Sequence, residues 1–590
     1  MAETLISPGV LTRENDISFI QPAPLVAGAA FVGPTVKGPV EIPTVVTSYS
    51  DYLNKFGSVF TSASAQQEFL TSIAVKNYFN QGGQSALVVR VVSGSFTSAT
   101  SSHISASALG GTAPFTLKTL GKGAIFNNGT GSEDTGGENT ADGSLVSGSV
   151  DNLRWQITNV NNTKGTFNLL IRRGDDSANN PIVLENWPNL SLDPKSDNFI
   201  EKVIGNEIVT VDQSESQYFV AKSGSYSNKS RYIYVSSVAR PTLDYLALDG
   251  KTVRNADVVD TGNSFSGSLP VAASGSFFGA TGDVLGNGVN FFEEIGIGSD
   301  KTQGLQPGNY TVAFNLLSNQ DEYQFNVVAA PGLIYGASNH SARLDDLISR
   351  VESRGDAIIA LDLETYGATI AAVTAEAASV NSSYAAAYWP WVKVLSATGQ
   401  QKFVPASTLI PGVYAATDRS SAPWFAPAGL IRGGIPGVIE AERKLTKGNR
   451  DTLYDGKVNP IATFPGVPGV TVFGQKTLQT KASALDRVNV RRLLIELKKF
   501  FGDQARNLVF EQNTIATRNK FLSIVNPYLT SVAQRQGLYT FRVVIDDTNN
   551  TNDVIDRNQL VGQVFIQPAK TAEFILLDFV IEPTGATFVA

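Results

Sequence analysis

The chain carries two separate stretches of strand–helix alternation, residues 25–92 and 331–538, with a long helix-poor stretch, residues 93–330, between them. Alternation of this kind specifies a sheet covered by helices. The two stretches therefore read as the first and second parts of one three-layer α/β core interrupted by an insertion. In the first part Ala29–Val32 and Ile42–Thr47 are strand candidates, the latter rich in β-branched residues. Ser50–Phe56 reads as a short helix stopped by Gly57. The clearest helix signal is Ala63–Asn80, where Phe69, Leu70, Ile73, Val75, Tyr78 and Phe79 form a broad apolar face. Ser64 and Gln67 have capping-box spacing, and Gly82-Gly83 ends the pattern. Ala86–Val92 reads as a buried strand.

From residue 93 onwards the chain is rich in Ser, Gly and Thr, and strand-like runs alternate with turns at Arg154–Thr158, Thr166–Ile171, Arg231–Val235, Tyr310–Leu316 and Tyr323–Val328. The only helical options there are short, such as Asp197–Val203, so 93–330 reads as one or two mostly-β inserted domains. Helices return at Ala342–Ser353, with Leu344, Leu347, Ile348 and Val351 on one face, and at an Ala-rich run, Ala368–Tyr388, stopped by Pro390. Asp356–Leu361 and Trp391–Leu395 are strands between and after them. Two long amphipathic helices follow at Ala482–Phe501 and Thr514–Arg535, the second with Pro527 as a kink site. Residues 539–590 are β: Tyr539–Ile545, Gln559–Gln567 and Ala572–Ile581, with Asp546–Asp556 as a loop. Residues 1–24 read as extended, because Leu5, Ile6, Val10, Leu11, Ile17 and Phe19 follow no helical repeat and Pro8, Pro22 and Pro24 favour an open backbone. The fold class is thus mixed α/β and α+β, with an extended segment at each end.

Composition narrows the function classes. Lys and Arg total 46 against 53 Asp and Glu, a formal charge of −7 over 590 residues, which argues against a protein that coats nucleic acid. There are no cysteines, so disulfides, thiolate catalysis and cysteine metal sites are excluded. The N-terminus lacks the pattern of a signal peptide, and no apolar run is long enough for a membrane-spanning helix. Only 17% of residues are charged, which lowers the desolvation cost of packing against other copies.

Chemistry-bearing residues form no recognisable constellation. His103 and His340, the only histidines, read as surface or capping residues. Asp345-Asp346 reads as a helix-start pair, Glu293-Glu294 as an edge pair, and Asp362 with Glu364 occupies the position after a strand where α/β enzymes place catalytic groups. Gly286-Asn287-Gly288 and Gly121-Lys122-Gly123 lack the remaining residues of a dinucleotide or phosphate loop. The five tryptophans are scattered and read as core anchors. No cofactor or metal is expected. The notable charges are cationic: Arg443, Lys444, Lys447 and Arg450, and then Arg487, Arg491, Arg492, Lys498 and Lys499 along one helix.

Val404–Val438 is an apolar, proline-bounded stretch centred on Gly412-Val413-Tyr414-Ala415-Ala416-Thr417-Asp418-Arg419. It is followed in order by Asn459-Pro460-Ile461, Phe464-Pro465-Gly466, Val472-Phe473-Gly474-Gln475-Lys476-Thr477-Leu478, Asn489-Val490-Arg491-Arg492-Leu493, Val509-Phe510-Glu511-Gln512-Asn513 and Pro568-Ala569-Lys570-Thr571-Ala572-Glu573-Phe574. Near the start are Ser7-Pro8-Gly9-Val10 and Phe31-Val32-Gly33 with Gly38-Pro39. This succession resembles the contractile phage tail sheath family. In the segment around Gly474, Phe, Gln and Lys replace the family's usual residues. The resemblance implies a structural subunit and no enzyme. Six subunits would form a ring, and stacked rings would surround an inner tail tube and contract on a baseplate signal to drive it through a bacterial envelope. The partners implied are other copies of the chain, the tube protein, and baseplate and tail terminator proteins, with no direct nucleic acid contact and no membrane insertion. The location implied is the virion tail, with assembly in the host cytoplasm. It also implies that the terminal segments are arms that pair with neighbouring subunits: Leu5, Ile6, Val10, Leu11, Ile17 and Phe19 at one end, and Phe574, Leu576, Phe579 and Ile581 at the other. Arg487, Arg491, Arg492, Lys498 and Lys499 become candidates for contact with the tube or a neighbour, and residues 93–330 an outward-facing insertion. The alternatives are the sheath of a tail-like bacteriocin or injection system and, from another class, a carbohydrate-active enzyme with carboxylates in the insertion.

Overall fold

The computed structural model describes residues 25–573 apart from 63–64, 94–95, 107–112, 124–152, 162–163, 175, 177–180, 240–268, 281–301, 338 and 468. The terminal-arm candidates Leu5 to Phe19 and Phe574 to Ile581, and the pair Glu293-Glu294, lie outside the described residues.

The two α/β stretches meet in a single nine-stranded sheet. Its strands are β1 (Ala29–Gly33), β2 (Thr44–Val46), β3 (Ala86–Arg90), β4 (Val327–Ala329), β5 (Ile358–Leu361), β6 (Ala385–Trp389), β7 (Gly434–Ile435), β8 (Val458–Ala462) and β9 (Val470–Val472). They lie in the order β7-β9-β8-β6-β5-β4-β1-β3-β2. The run from β8 to β3 is parallel, and β2, β9 and β7 add antiparallel edges. The seam between the halves pairs Val327 with Ala29, Val328 with Ala30 and Ala329 with Phe31. Every residue of β1, β3, β5 and β6 is buried, as expected of strands covered on both faces.

Helices cover both faces. Ala29 and Phe31 point to one side, towards α1 (Tyr49–Phe56), α2 (Leu70–Asn80) and α5 (Ile410–Ser420); α7 (Val488–Arg506) adds Val488 and Ile495 to the same core. Ala30 and Val32 point to the other, towards α3 (Ser341–Arg354), α4 (Ile370–Ser379) and Leu453 of α6 (Lys447–Asp455). Residues between β3 and β4 build a separate antiparallel seven-stranded sheet, which includes Phe115–Lys122, Leu153–Asn161 and Thr166–Arg173 and packs its own core around Trp155, Phe167 and Leu169. Buried Arg90 at the end of β3 joins the two sheets: its Nη1 donates to Gly38 O at 2.6 Å and to Lys122 O at 2.9 Å. A third core lies at the C-terminal side, where Trp424, Leu493, Leu497, Val525, Leu529 and Leu538 gather α7, α8 (Ile515–Gln534) and a hairpin of Leu538–Val544 with Gln563–Pro568.

Several local expectations are corrected. The helix expected over Ala63–Asn80 begins only at Leu70, because Ala65–Glu68 pairs with Val59–Ser62 in a hairpin. Its start is fixed at long range: Gln303 Oε1 accepts from Leu70 N at 2.8 Å, and no side chain caps it locally. The Ala-rich run Ala368–Tyr388 is helical only over Ile370–Ser379, and Ala385–Trp389 is the central strand β6. Burial on both faces overrides the helix propensity of three consecutive alanines there. Tyr310–Leu316 is not a strand. A 3₁₀ turn at Pro307–Tyr310 runs into a helix at Thr311–Leu316, and Tyr310, Ala313, Phe314 and Leu317 face the core at helical spacing. Within Asp546–Asp556, Asn552–Asp556 is a short helix.

Phe31 is fully buried and meets Tyr78 edge-on at 5.7 Å between ring centroids. Replacing Phe31 with Ala is expected to cost about 3–5 kcal/mol, read as a lower urea midpoint for unfolding of the nine-stranded body.

Candidate functional site

The cationic helix α7 follows a 3₁₀ turn at Ala484–Asp486, and its Val488 N donates to Gln475 O at 2.8 Å. Five cations expected to act together there have separate environments. Arg491 is 4% exposed; its guanidinium lies 4.0 Å from the centroid of the Tyr384 ring and donates to Ser383 Oγ. Arg492 is 5% exposed; its Nη2 donates to both carboxylate oxygens of Asp418 at 2.6 Å, and it lies 4.6 Å from the Tyr414 ring centroid. Tyr414 in turn shares a 2.6 Å hydrogen bond with Tyr388 of β6. Lys499 Nζ donates to Phe325 O at 2.8 Å and to Asn326 Oδ1, and burial lowers its pKa. These three side chains hold α7 to the nine-stranded body. Lys498 is exposed, with a 3.3 Å contact to Tyr384 Oη. Arg487 Nε donates to Glu573 Oε1 at 2.8 Å and Nη1 pairs with Asp486 at 3.0 Å.

The hairpin Leu538–Val544/Gln563–Pro568 has no third strand among the described residues. Tyr539 and Phe565 are 68% and 56% exposed on it. Beside it lies a groove of about 840 Å³ lined by Trp424, Phe425, Tyr454, Phe473, Tyr539 and the segment 569–573. Unpaired strand edges next to an aromatic groove can take up a further extended chain.

The remaining candidates serve the fold. His340 is buried at the start of α3, where its Nδ1 accepts from Ile334 N at 3.1 Å; His103 is exposed. Asp345 and Asp346 lie beyond the first turn of α3, where Asp345 accepts from Tyr335 Oη at 3.0 Å and Asp346 pairs with Arg350 at 3.0 Å, so the expected contact with free helix-start N–H groups is replaced by side-chain partners. Asp362 is buried and accepts from Ser407 N at 3.0 Å and Ser407 Oγ at 2.5 Å, closing the turn that leads to α5. Trp155, Trp389, Trp391 and Trp424 are buried. Among the described residues no group of three or more His, Asp or Glu could hold a metal, and no helix is long and apolar enough to cross a membrane.

Two predictions follow from these environments. Burial pushes the pKa of Asp362 up to about 7 against the two Ser407 hydrogen bonds that lower it. A carboxyl group raised in the folded state stabilises the fold fully below its unfolded pKa and loses that contribution as pH rises to about 7. Asp362→Asn should therefore remove a fall in stability between about pH 4 and pH 7, read by urea unfolding across that range. Arg492→Met should cost roughly 1–3 kcal/mol in the same assay by leaving Asp418 unpaired, whereas Lys498→Ala should stay within about 0.5 kcal/mol.

Residues 307–478 match the family described as the phage tail sheath protein central domain, and residues 480–582 match the phage tail sheath C-terminal domain. The tail sheath protein of Vibrio phage KVP40 is 44% identical over 189 residues, covering 32% of this chain and 28% of that protein. The tail sheath protein of Enterobacteria phage T4 is 41% identical over 187 residues, again 32% and 28%. The chain thus spans less than a third of the length of these curated relatives. In fold, the chain is similar to a sheath tail protein from Listeria innocua, with a TM-score of 0.53 at 9% identity over 92% of this chain and 95% of that one. Residues 307–478 and 480–582 are thus similar to the central and C-terminal domains of phage tail sheath proteins.

Proposed function

We propose that the protein is the repeating structural subunit of a contractile tail sheath, located in the virion tail and assembled in the host cytoplasm. Six copies form each ring, and stacked rings enclose an inner tube and contract to drive it through a bacterial envelope. The observation that carries this reading is the match of residues 307–478 and 480–582 to tail sheath domains, alongside 41–44% identity to tail sheath proteins over 187–189 residues. The sheath of a bacteriocin or injection system works by the same mechanics. The partners are other copies, the tube protein, and baseplate and terminator proteins.

In this reading residues 25–92 and 305–538 are the three-layer core, its second part beginning earlier than residue 331 because Val327–Ala329 is a strand of the nine-stranded sheet and Leu305, Tyr310 and Phe314 pack on it; residues 93–304 face outwards, and residues 1–24 and 573–586 are arms. An arm from another copy adds to the hairpin Leu538–Val544/Gln563–Pro568, whose outer edges have no third strand among the described residues. Roughly six to ten backbone hydrogen bonds, each worth about 1 kcal/mol, make a durable connection that survives rotation of the bodies. Arg491, Arg492 and Lys499 stiffen the body from inside, leaving exposed Lys498 as the best placed of the five cations for a loose electrostatic contact with the tube or a neighbour. The extended lattice is metastable and the contracted one more stable; a small gain per subunit, summed over many rings, makes contraction one-way.

Deleting residues 1–20 should leave a soluble subunit or a disordered oligomer under electron microscopy. Normal tubes formed by that deletion would remove the arm assignment.

A further inference from the structure

Glu573 is the last described residue, and its carboxylate sits in a half-buried cage. Oε1 accepts from Arg487 Nε at 2.8 Å and Gln475 Nε2 at 3.0 Å, and Oε2 accepts from Tyr454 Oη at 2.7 Å. Gln475 Nε2 also donates to Thr571 Oγ1 at 2.6 Å, so the same amide holds the chain two residues earlier. The donors come from three places: the residue before α7, the turn after β9, and the last turn of α6. Each is itself held. Asp486 pairs with Arg487 at 3.0 Å, Gln475 O accepts from Val488 N at 2.8 Å, and Lys476 lies 4.3 Å from the Tyr454 ring centroid while donating to Tyr454 O at 2.7 Å.

The hairpin strand Gln563–Pro568 ends five residues earlier, and between it and Glu573 the main chain makes one further backbone bond among the described residues, Ala569 N to Gly537 O at 3.1 Å. Without the cage, tension on residue 574 would reach the end of this two-stranded ladder, whose hydrogen bonds would then open one at a time. With it, the tension meets several charge-assisted hydrogen bonds that must break together. We propose that Glu573 is the anchor that ties the segment 574–590 to its own body, carrying load into α6, α7 and the β9 turn and sparing the hairpin. The consequence drawn for load rests on the reading of that segment as an arm; the anchor itself does not.

Hydrogen–deuterium exchange on the unassembled full-length subunit tests the anchor. Glu573→Ala should speed exchange across residues 563–573 by about tenfold or more, with α7 and β8 unchanged. Tyr454→Phe keeps the ring and removes one donor, and should give a smaller acceleration over the same residues. It also serves as the readout if Glu573→Ala fails to fold. Unchanged exchange at 563–573 in the folded variants would overturn the proposal, as would an equal acceleration through α7, which would mark general loosening in place of an anchor. Failure of the sheath reading would show separately, as absence of tubes from the unmutated protein.

Discussion

The parallel pairing of Ala29–Gly33 with Val327–Ala329 is the contact on which the rest of the structure depends. It joins the first part of the chain to the second across the whole insertion. Only when it forms do both faces of the sheet become continuous surfaces for helices. Ala29 and Phe31 then belong to one core and Ala30 and Val32 to the other, each shared with residues hundreds of positions away. The insertion hangs from this seam with its own core and its own sheet, tied back by Arg90 to Gly38 and Lys122.

The C-terminal body is held together by buried cations and stacked rings. Arg491 on Tyr384 and Arg492 on Tyr414 and Asp418 clamp α7 to the central sheet, and Phe500 stacks on Tyr528 of α8 at 3.7 Å between centroids. Cations clamped in this way are poor sliding contacts, because moving them would strand Asp418 without its guanidinium.

What could be read from the residues alone follows the range of the interactions involved. The apolar runs of β1 and β3 and the stripe Leu344, Leu347, Ile348 and Val351 on α3 were legible because burial leaves its period in neighbouring residues. The strand Ala385–Trp389 was not, because alanine signals helix locally and only two buried faces make it a strand. The start of α2 was misplaced because its cap, Gln303, comes from 233 residues away. The cations of α7 were visible as a row, but their directions were not, since Asp418 and Ser383 lie 74 and 108 residues from their partners. The ordered motifs from Val404 to Glu573 pointed to the tail sheath family, which the matches at 307–478 and 480–582 bear out, but the cage around Glu573 is visible only where Tyr454, Gln475 and Arg487 converge.

The proposed assembly depends on other copies of the chain completing the open edges of one hairpin. A helical reconstruction of the assembled protein by electron cryomicroscopy tests this most directly. The predicted result is a hollow helical tube with extended density from a second copy running alongside Leu538–Val544 or Gln563–Pro568. A tube in which both edges of that hairpin face solvent, or in which the bodies touch without any exchanged chain, would contradict it.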